Sequence, residues 1–259
     1  MSDHPITFRF DVQKAAQAAN KLLRLTGGER NYMELVKLLY LADRRALLQF
    51  ELPITGDCFT ALPHGPALSH ILELIRWGPV DEKDAPWFAA VSPLFGYTLK
   101  ALPGCEEDEL SDAEGRILAE VFEEFGRLNW KDLSRMTRAL PEWVNPAGEQ
   151  TPISAEQILL VEGRSREEIE RIRSEAAAYE RLDQESESYR NETGLAARPS
   201  CSGPPQPLGP LKDFLHDQEL NYLNFALAQT DGDKEKAAQL LGISVATLYR
   251  KLGGEEVEA

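Results

Sequence analysis

Residues 31–50 read NYMELVKLLYLADRRALLQF. Tyr32, Leu35, Val36, Leu39, Ala42 and Ala46 recur at the 3.6-residue period of a helix and form one apolar stripe. Leu38 and Leu41 fall outside that stripe. A helix apolar on more than one side belongs at the centre of its domain. Glu34, Lys37, Arg44 and Arg45 are left as its polar edge. This helix sets the expected class: a mainly α (α+β) body with a few short strands.

Working outward, residues 11–25 carry Val12, Ala15, Ala19, Leu22 and Leu23 at helical spacing, and Gly27-Gly28 stop them. After the central helix, Pro53 and Gly56 mark a turn, and residues 57–62 alternate as a short strand. Pro66 suits the first turn of a helix over 66–76, where a missing amide hydrogen costs little. WFAAV (87–91) and YTLKA (97–101) flank a loop of five residues and predict a hairpin. Helix, strand, helix, hairpin is also the order of a winged-helix unit. Residues 105–124 hold nine Asp and Glu against Arg116. They predict a solvated helix face with Ile117, Leu118, Val121, Phe122 and Phe125 turned inward, or, more sharply, an acidic partner surface or nucleic-acid mimic. Ser165 and Glu168 have the spacing of a capping box and open a further helix through Ile169, Ile172, Ala176 and Tyr179.

The clearest break is NETGLAARPSCSGPPQPLGP, residues 191–210, with five prolines and three glycines. Such a segment neither continues a helix nor joins a central strand and reads as an extended tether. Three parts follow: a body over 1–190, a linker over 191–210 and a module over 211–259. The chain has 259 residues and a net charge of −15. The body holds 22 Lys and Arg against 33 Asp and Glu, and the module 5 against 9. Non-specific affinity for nucleic acid is therefore expected to be weak. No apolar run reaches the length of a membrane span, and the N-terminus lacks the pattern of a secretory signal. Cys58, Cys105 and Cys201 lie far apart, which suits a reducing cytoplasm.

In the module, LKDFLHDQELNYLNFALAQT (211–230) is a helix with two apolar stripes. Leu211, Phe214, Leu215, Tyr222, Phe225 and Ala226 lie on one side, and Leu220, Leu223 and Leu227 on the other. So small a unit buries one stripe on its own helices and offers the other to a second copy. Asp233 caps a second helix, KEKAAQLLG, and Gly242 is the turn glycine. Ser244 is the N-cap of a third helix, VATLYRKL. There Val245, Leu248 and Leu252 face the core, and Ala246, Thr247, Arg250 and Lys251 face outward, as a groove-reading helix requires.

Two resemblances follow from these residues. KLLYLAD (37–43), PITGD (53–57), ALPHGP (61–66) and DLSRMTRALPEWVNP (132–146) resemble, in order, the Panacea domain of SocA-type bacterial antitoxins. That resemblance implies neutralisation of a protein toxin by direct contact, in a family that pairs with unrelated toxin types. AAQLLGIS and TLYRKL resemble the Fis-type helix-turn-helix of the factor for inversion stimulation and of bacterial enhancer-binding activators. It implies DNA contacts from Ser244, Thr247, Arg250 and Lys251. It also implies dimerisation through the first helix, assigned to Leu220, Leu223 and Leu227. The expected partners are a cognate toxin, operator DNA and a second copy, with no membrane. The alternative is a transcriptional regulator that senses a protein and has no toxin of its own. A third reading, an enzyme built on Asp57, Cys58, His64 and His70, is set aside. Asp57 suits a turn acceptor, Cys58 a small buried hydrophobe, and no second acid–base pair is spaced to assist. No catalytic residue, metal site or cofactor is expected.

Overall fold

A computed structural model of the chain describes residues 5–78, 81–193, 223, 230, 233–245, 247 and 248. The chain divides into two compact units. Among the described residues of the body, helices predominate and five short strands form two antiparallel sheets.

Helix α1 (Val12–Leu25) is opened by Asp11, whose carboxylate accepts from the amides of Gln13 and Lys14. Strand β1 (Glu29–Asn31) leads into α2 (Tyr32–Phe50), capped by Asn31. Helix α2 is the central helix that its sequence predicts. Leu35, Val36 and every residue from Leu38 to Ala42 are buried, and α1 and the later helices Asp112–Phe125, Trp130–Thr137 and Ala155–Val161 pack around it. Its lower half ends where Glu51 turns left-handed.

Strand β2 (Phe59–Ala61) pairs with β3 (Ala67–Leu68), and α3 (Ser69–Trp77) follows. The expected helix from Pro66 thus starts three residues later, because residues 67–68 join the sheet. Residues 87–91 are not one arm of a hairpin. Residues 85–90 form the short helix α4 (Ala85–Ala90), with Pro86 in its first turn. The strand β4 (Thr98–Lys100) pairs instead with β1, so the winged-helix order is absent from the body. Val91 still bridges Ala101, which is what remains of the expected pairing.

Helix α5 (Asp112–Phe125) carries the acidic stretch. It opens on a Ser111–Glu114 capping box and buries Ile117, Leu118 and Val121, as its spacing predicts. Several of the acids serve the body itself. Glu114 pairs with Lys14 at 2.7 Å, Glu107 with Lys21, and Glu124 with Arg45 at 2.5 Å. Helix α6 (Trp130–Thr137) comes next, then β5 (Thr151–Pro152) beside β2, and α7 (Ala155–Val161). Helix α8 (Arg166–Thr193) opens on the predicted capping box, with Ser165 N donating to Glu168 and Glu168 N to Ser165 Oγ. It docks through Ile169, Ile172 and Ala176 and runs three residues into the segment expected to be linker.

In the second unit, α9 (Lys234–Leu241) is capped by Asp233 and closed by Gly242 at φ 65°. Both features are as the sequence predicts. Leu223, Ala238 and Leu248 form its described core, with Leu241 and Ile243 against them.

Candidate functional site

The four body motifs meet around α2. Lys37 Nζ donates to Pro66 O at 2.5 Å. The Tyr40 hydroxyl donates to Glu142 Oε1 at 2.8 Å, and Arg44 grips the same carboxylate at 2.7 and 3.1 Å. Asp43 accepts from the amide and hydroxyl of Thr55 at 3.1 and 2.5 Å. Ser134 Oγ donates to His64 O at 2.6 Å, and Trp143 Nε1 to Leu62 O at 3.0 Å. These links join residues from 12 to 102 positions apart. A buried polar group is tolerated only when paired, so each link fixes one loop against another.

Lys37 is therefore no part of a polar edge: it is 2% exposed. Burial, and then the charge of Arg138, lower its pKa to about 7. Burial likewise raises Asp43 to about 7, against the pull of its Thr55 hydrogen bonds. For Glu142 burial acts upward, but Arg44 prevails and holds the carboxyl below its ordinary range. Gly65 sits in this knot at φ 97°. A Cβ there would lie 2.6 Å from Thr137 Oγ1 and 3.3 Å from Lys37 Nζ. The motif side chains turned inward are thus framework.

What the framework presents outward is a basic and aromatic face on α6. Trp130 is 37% exposed, and the His64 ring meets it edge-on at 6.5 Å. Lys131 Nζ lies 5.8 Å from the Trp130 ring centroid. Arg135 and Arg138 are exposed one turn further on, Arg135 holding Asp132 at 2.7 Å. The first turn of α2 extends the face: Glu34 accepts from Trp130 N at 2.9 Å, and Tyr32 stacks on the exposed Tyr97 at 6.2 Å. The sequence pattern does not single these side chains out as one face. Residues 127–138 hold Arg127, Lys131, Arg135 and Arg138 against Asp132, a net of +3 in a chain of −15, and that was the available signal.

Of the four residues weighed as a reactive cluster, the structure gathers three. Asp57, Cys58 and His70 place ligand atoms within 4.8 Å of one another, while His64 joins Trp130 elsewhere. Asp57 is the expected backbone acceptor: it takes the amides of Cys58, His70 and Ile71. Cys58 is half-buried beside an imidazole, not enclosed as a hydrophobe.

In the second unit, Ser244 Oγ accepts from Thr247 N at 3.1 Å, which is the expected N-cap. The two hydroxyl oxygens are 2.7 Å apart. Ser244 is exposed and Thr247 half-exposed, side by side on the first turn of the third helix. Arg250 and Lys251 lie outside the described residues, as do Leu220, Leu227 and Leu252. Leu248 is fully buried as predicted, but Val245 is 36% exposed. It directly follows the cap, where the chain has only begun to turn toward the core. Leu223 is 3% exposed against Ala238 and Leu248. Its side chain is taken by the unit's own core, which removes it from the surface expected to meet a second copy.

Residues 35–144 match the family model of the antitoxin SocA-like Panacea domain. Residues 214–253 match that of bacterial regulatory proteins of the Fis family. The chain carries a Panacea segment and a Fis-type segment, in that order. No curated protein and no solved structure compared with it matches. The Panacea match spans α2 to Val144 and so encloses all four motifs and α6. The Fis-type match encloses α9 and the Ser244 cap. Together they support a DNA-binding regulator with an antitoxin-like domain, and neither family is one of enzymes. Among the described residues no helix is long and apolar enough to cross a membrane.

Proposed function

We propose that this chain is the antitoxin of a bacterial toxin–antitoxin pair. Its Panacea segment silences a cytoplasmic protein toxin by contact, and its Fis-type segment binds the operator of the shared operon. The carrying observation is the order of the two matches on one chain, with helix-turn-helix caps in place at Asp233, Gly242 and Ser244. The toxin contact is assigned to the α6 face. Aromatic and arginine side chains dominate binding at protein interfaces. A cationic face on an acidic body selects an acidic partner surface and disfavours others. DNA reading is assigned to Ser244, Thr247, Arg250 and Lys251, two hydroxyls and two cations that the sequence places in one recognition segment. The acidic remainder suppresses non-specific binding, so specific sites stand out.

Self-association is assigned to the first helix of the module. Leu223 lies in the unit's own core, and the sequence spacing puts Leu220 and Leu227 on the same stripe as Leu223. The stripe of Phe214, Tyr222 and Phe225 is the one left for a second copy.

The test is co-expression with the product of the adjacent gene, scored as growth rescue and co-purification. Rescue that is lost on Arg135→Glu in a folded chain supports both the function and the face. Rescue that survives it displaces the contact to another surface. No rescue by the wild type, with operator binding intact, leaves the alternative regulator without a toxin. For the module, Arg250→Ala should weaken binding to the upstream promoter fragment. It should also flatten its salt dependence by about one log–log unit per site, whereas Thr247→Ala should relax sequence preference more than salt slope. Equal affinity of the wild type for random DNA would remove the operator role.

A further inference from the structure

Gly56 delivers the chain to a cluster that the regulator reading does not use. Asp57 Oδ1 accepts from His70 Nδ1 at 2.9 Å, from His70 N at 3.0 Å and from Cys58 N at 2.6 Å, and Oδ2 accepts from Ile71 N at 2.9 Å. The carboxylate side chain has no exposed surface, whereas the His70 side chain is 36% exposed. Phe10 stacks on the imidazole with ring centroids 5.0 Å apart and planes 14° apart. The ring is thus fixed on its face by Phe10 and at Nδ1 by Asp57. Cys58 Sγ lies within 4.8 Å of both partners.

The donor set allows two occupants in principle, a metal ion or a proton. Oδ1 already receives three N–H groups and Oδ2 one, and three of these four are backbone amides held by the first turn of α3 and by the chain at Cys58. That leaves a metal one open lone pair, on Oδ2. A proton passing between the sulfur and the imidazole needs none. A buried carboxylate that orients an imidazole beside a thiol draws the thiol proton onto the ring. Asp57 and His70 are titratable groups within 4.8 Å of the Cys58 sulfur, and Asp43 lies close enough to Asp57 to feel its charge.

We propose that Cys58 is held as a thiolate by the His70 imidazolium and is a site of covalent modification by small electrophiles and by hydrogen peroxide. Cys58 gives its proton to His70. With iodoacetamide, the sulfur electron pair forms an S–C bond and iodide leaves. With hydrogen peroxide, the sulfur attacks one oxygen and the O–O bond breaks. Sulfur is oxidised by two electrons to a sulfenic acid, and the hydroxide that leaves takes the proton from His70 as water. The hydrogen bond to Asp57, and then that to Cys58, raise His70 to about 10, so the imidazolium persists at neutral pH. Cys105 is an internal contrast: burial pushes its thiol up.

The experiment uses the full chain with Cys105→Ser and Cys201→Ser. It reads the far-ultraviolet thiolate absorbance across pH, against the same chain with Cys58→Ser, and the rates of Cys58 modification by iodoacetamide and peroxide by mass spectrometry. The Cys58-dependent absorbance should persist below about pH 7, where an ordinary thiol near 8.5 has lost it. At about pH 6, iodoacetamide should label Cys58 at least ~10-fold faster than it labels the His70→Phe chain, which keeps the ring stack but not the charge. If His70→Phe does not fold, His70→Gln takes its place, and the absorbance profile of the parent chain decides by itself. An absorbance step only above about pH 8 overturns the ion pair. A thiolate that neither reagent modifies overturns the modification site.

Discussion

The body and the C-terminal module keep their polar groups in order by opposite means. In the body, the decisive hydrogen bonds span the chain: Tyr40 to Glu142, Leu62 to Trp143, His64 to Ser134. In the module, the described ones are local. Asp233 reaches the amides two and three residues on, Ser244 reaches Thr247, and Ile243 N reaches Ala238 O. Local bonds are written in short motifs, so the module can be recognised from a few consecutive residues. Long-range bonds are written in pairs of unrelated segments, so the body is recognised only when its motifs are read in order. The contrast also separates what a substitution does. In the body it loosens a distant loop, and in the module it frays one helix end.

The sharpest way to break the contrast is at Gly56. A Cβ there would lie 1.9 Å from Arg9 O and 2.7 Å from Arg9 C, at φ 68°. Backbone cannot step aside as a flexible side chain can, so Gly56→Ala should cost about 4 kcal/mol or more. Trp87, Trp130 and Trp143 lie in the first compact unit, so urea unfolding of the Trp77→Phe chain followed by tryptophan fluorescence reads the body alone. An unchanged midpoint would show that Arg9 is not held there.

Next is Glu142→Ala, which strands Tyr40 and leaves Arg44 with Glu162 as its carboxylate partner. Removing one partner of a buried, hydrogen-bonded pair should cost about 3 kcal/mol by the same measurement, and Tyr40→Phe only about 1 kcal/mol. Equal losses would mean that the hydroxyl, and not the guanidinium, carries the link.

A smaller effect follows pH. The His70 pKa stands above its unfolded value, so its contribution is fully present below about 6.5 and is lost as pH rises through about 10. More than a third of the ring side chain is exposed, so solvent screening reduces the contribution to about 1–2 kcal/mol. The stability gap between wild type and His70→Phe should therefore close between pH 6 and 10.5. A gap that widens with pH would reverse the sign.

The smallest effect belongs to the module. Ser244→Ala removes one cap and should cost about 1 kcal/mol, seen as faster amide exchange at Thr247 and Leu248 with the tryptophan transition unmoved. A moved transition would mean that the two regions unfold together.

The sequence carried the central helix because its apolar residues follow the helical period over twenty positions. It carried α1, α5 and the caps of α8 and α9 for the same reason, a local pattern long or specific enough to read. It did not carry the start of α3. The amides of His70 and Ile71 are capped by Asp57, thirteen and fourteen residues upstream, and no local residue announces that. It misread WFAAV because five apolar residues in a row fit a strand or a buried helix equally, and the packing of α4 on α1 decides. Lys37 looked like surface since lysine nearly always is; only the loop that brings Pro66 O to its ammonium makes burial tolerable. Of the candidate sites, Ser244 and Thr247 were legible from spacing. The α6 face was not, because Trp130 becomes a neighbour of His64 only in the folded chain.

The inward turn of the motif side chains bears on how such a protein can change. Lys37, Asp43, Gly65, Thr137 and Glu142 hold the frame from inside and are fully occupied there. The residues on the outside of α6 hold nothing comparable, and exposed substitutions of that kind cost within about 0.5 kcal/mol. If the outer face of α6 is the contact we propose, stability and partner choice fall on different residues, the inner set and the outer one. A population of variants can wander across the outer set without crossing the threshold of unfolding, and so can be re-addressed to a new partner in single steps while the inner set stays unchanged.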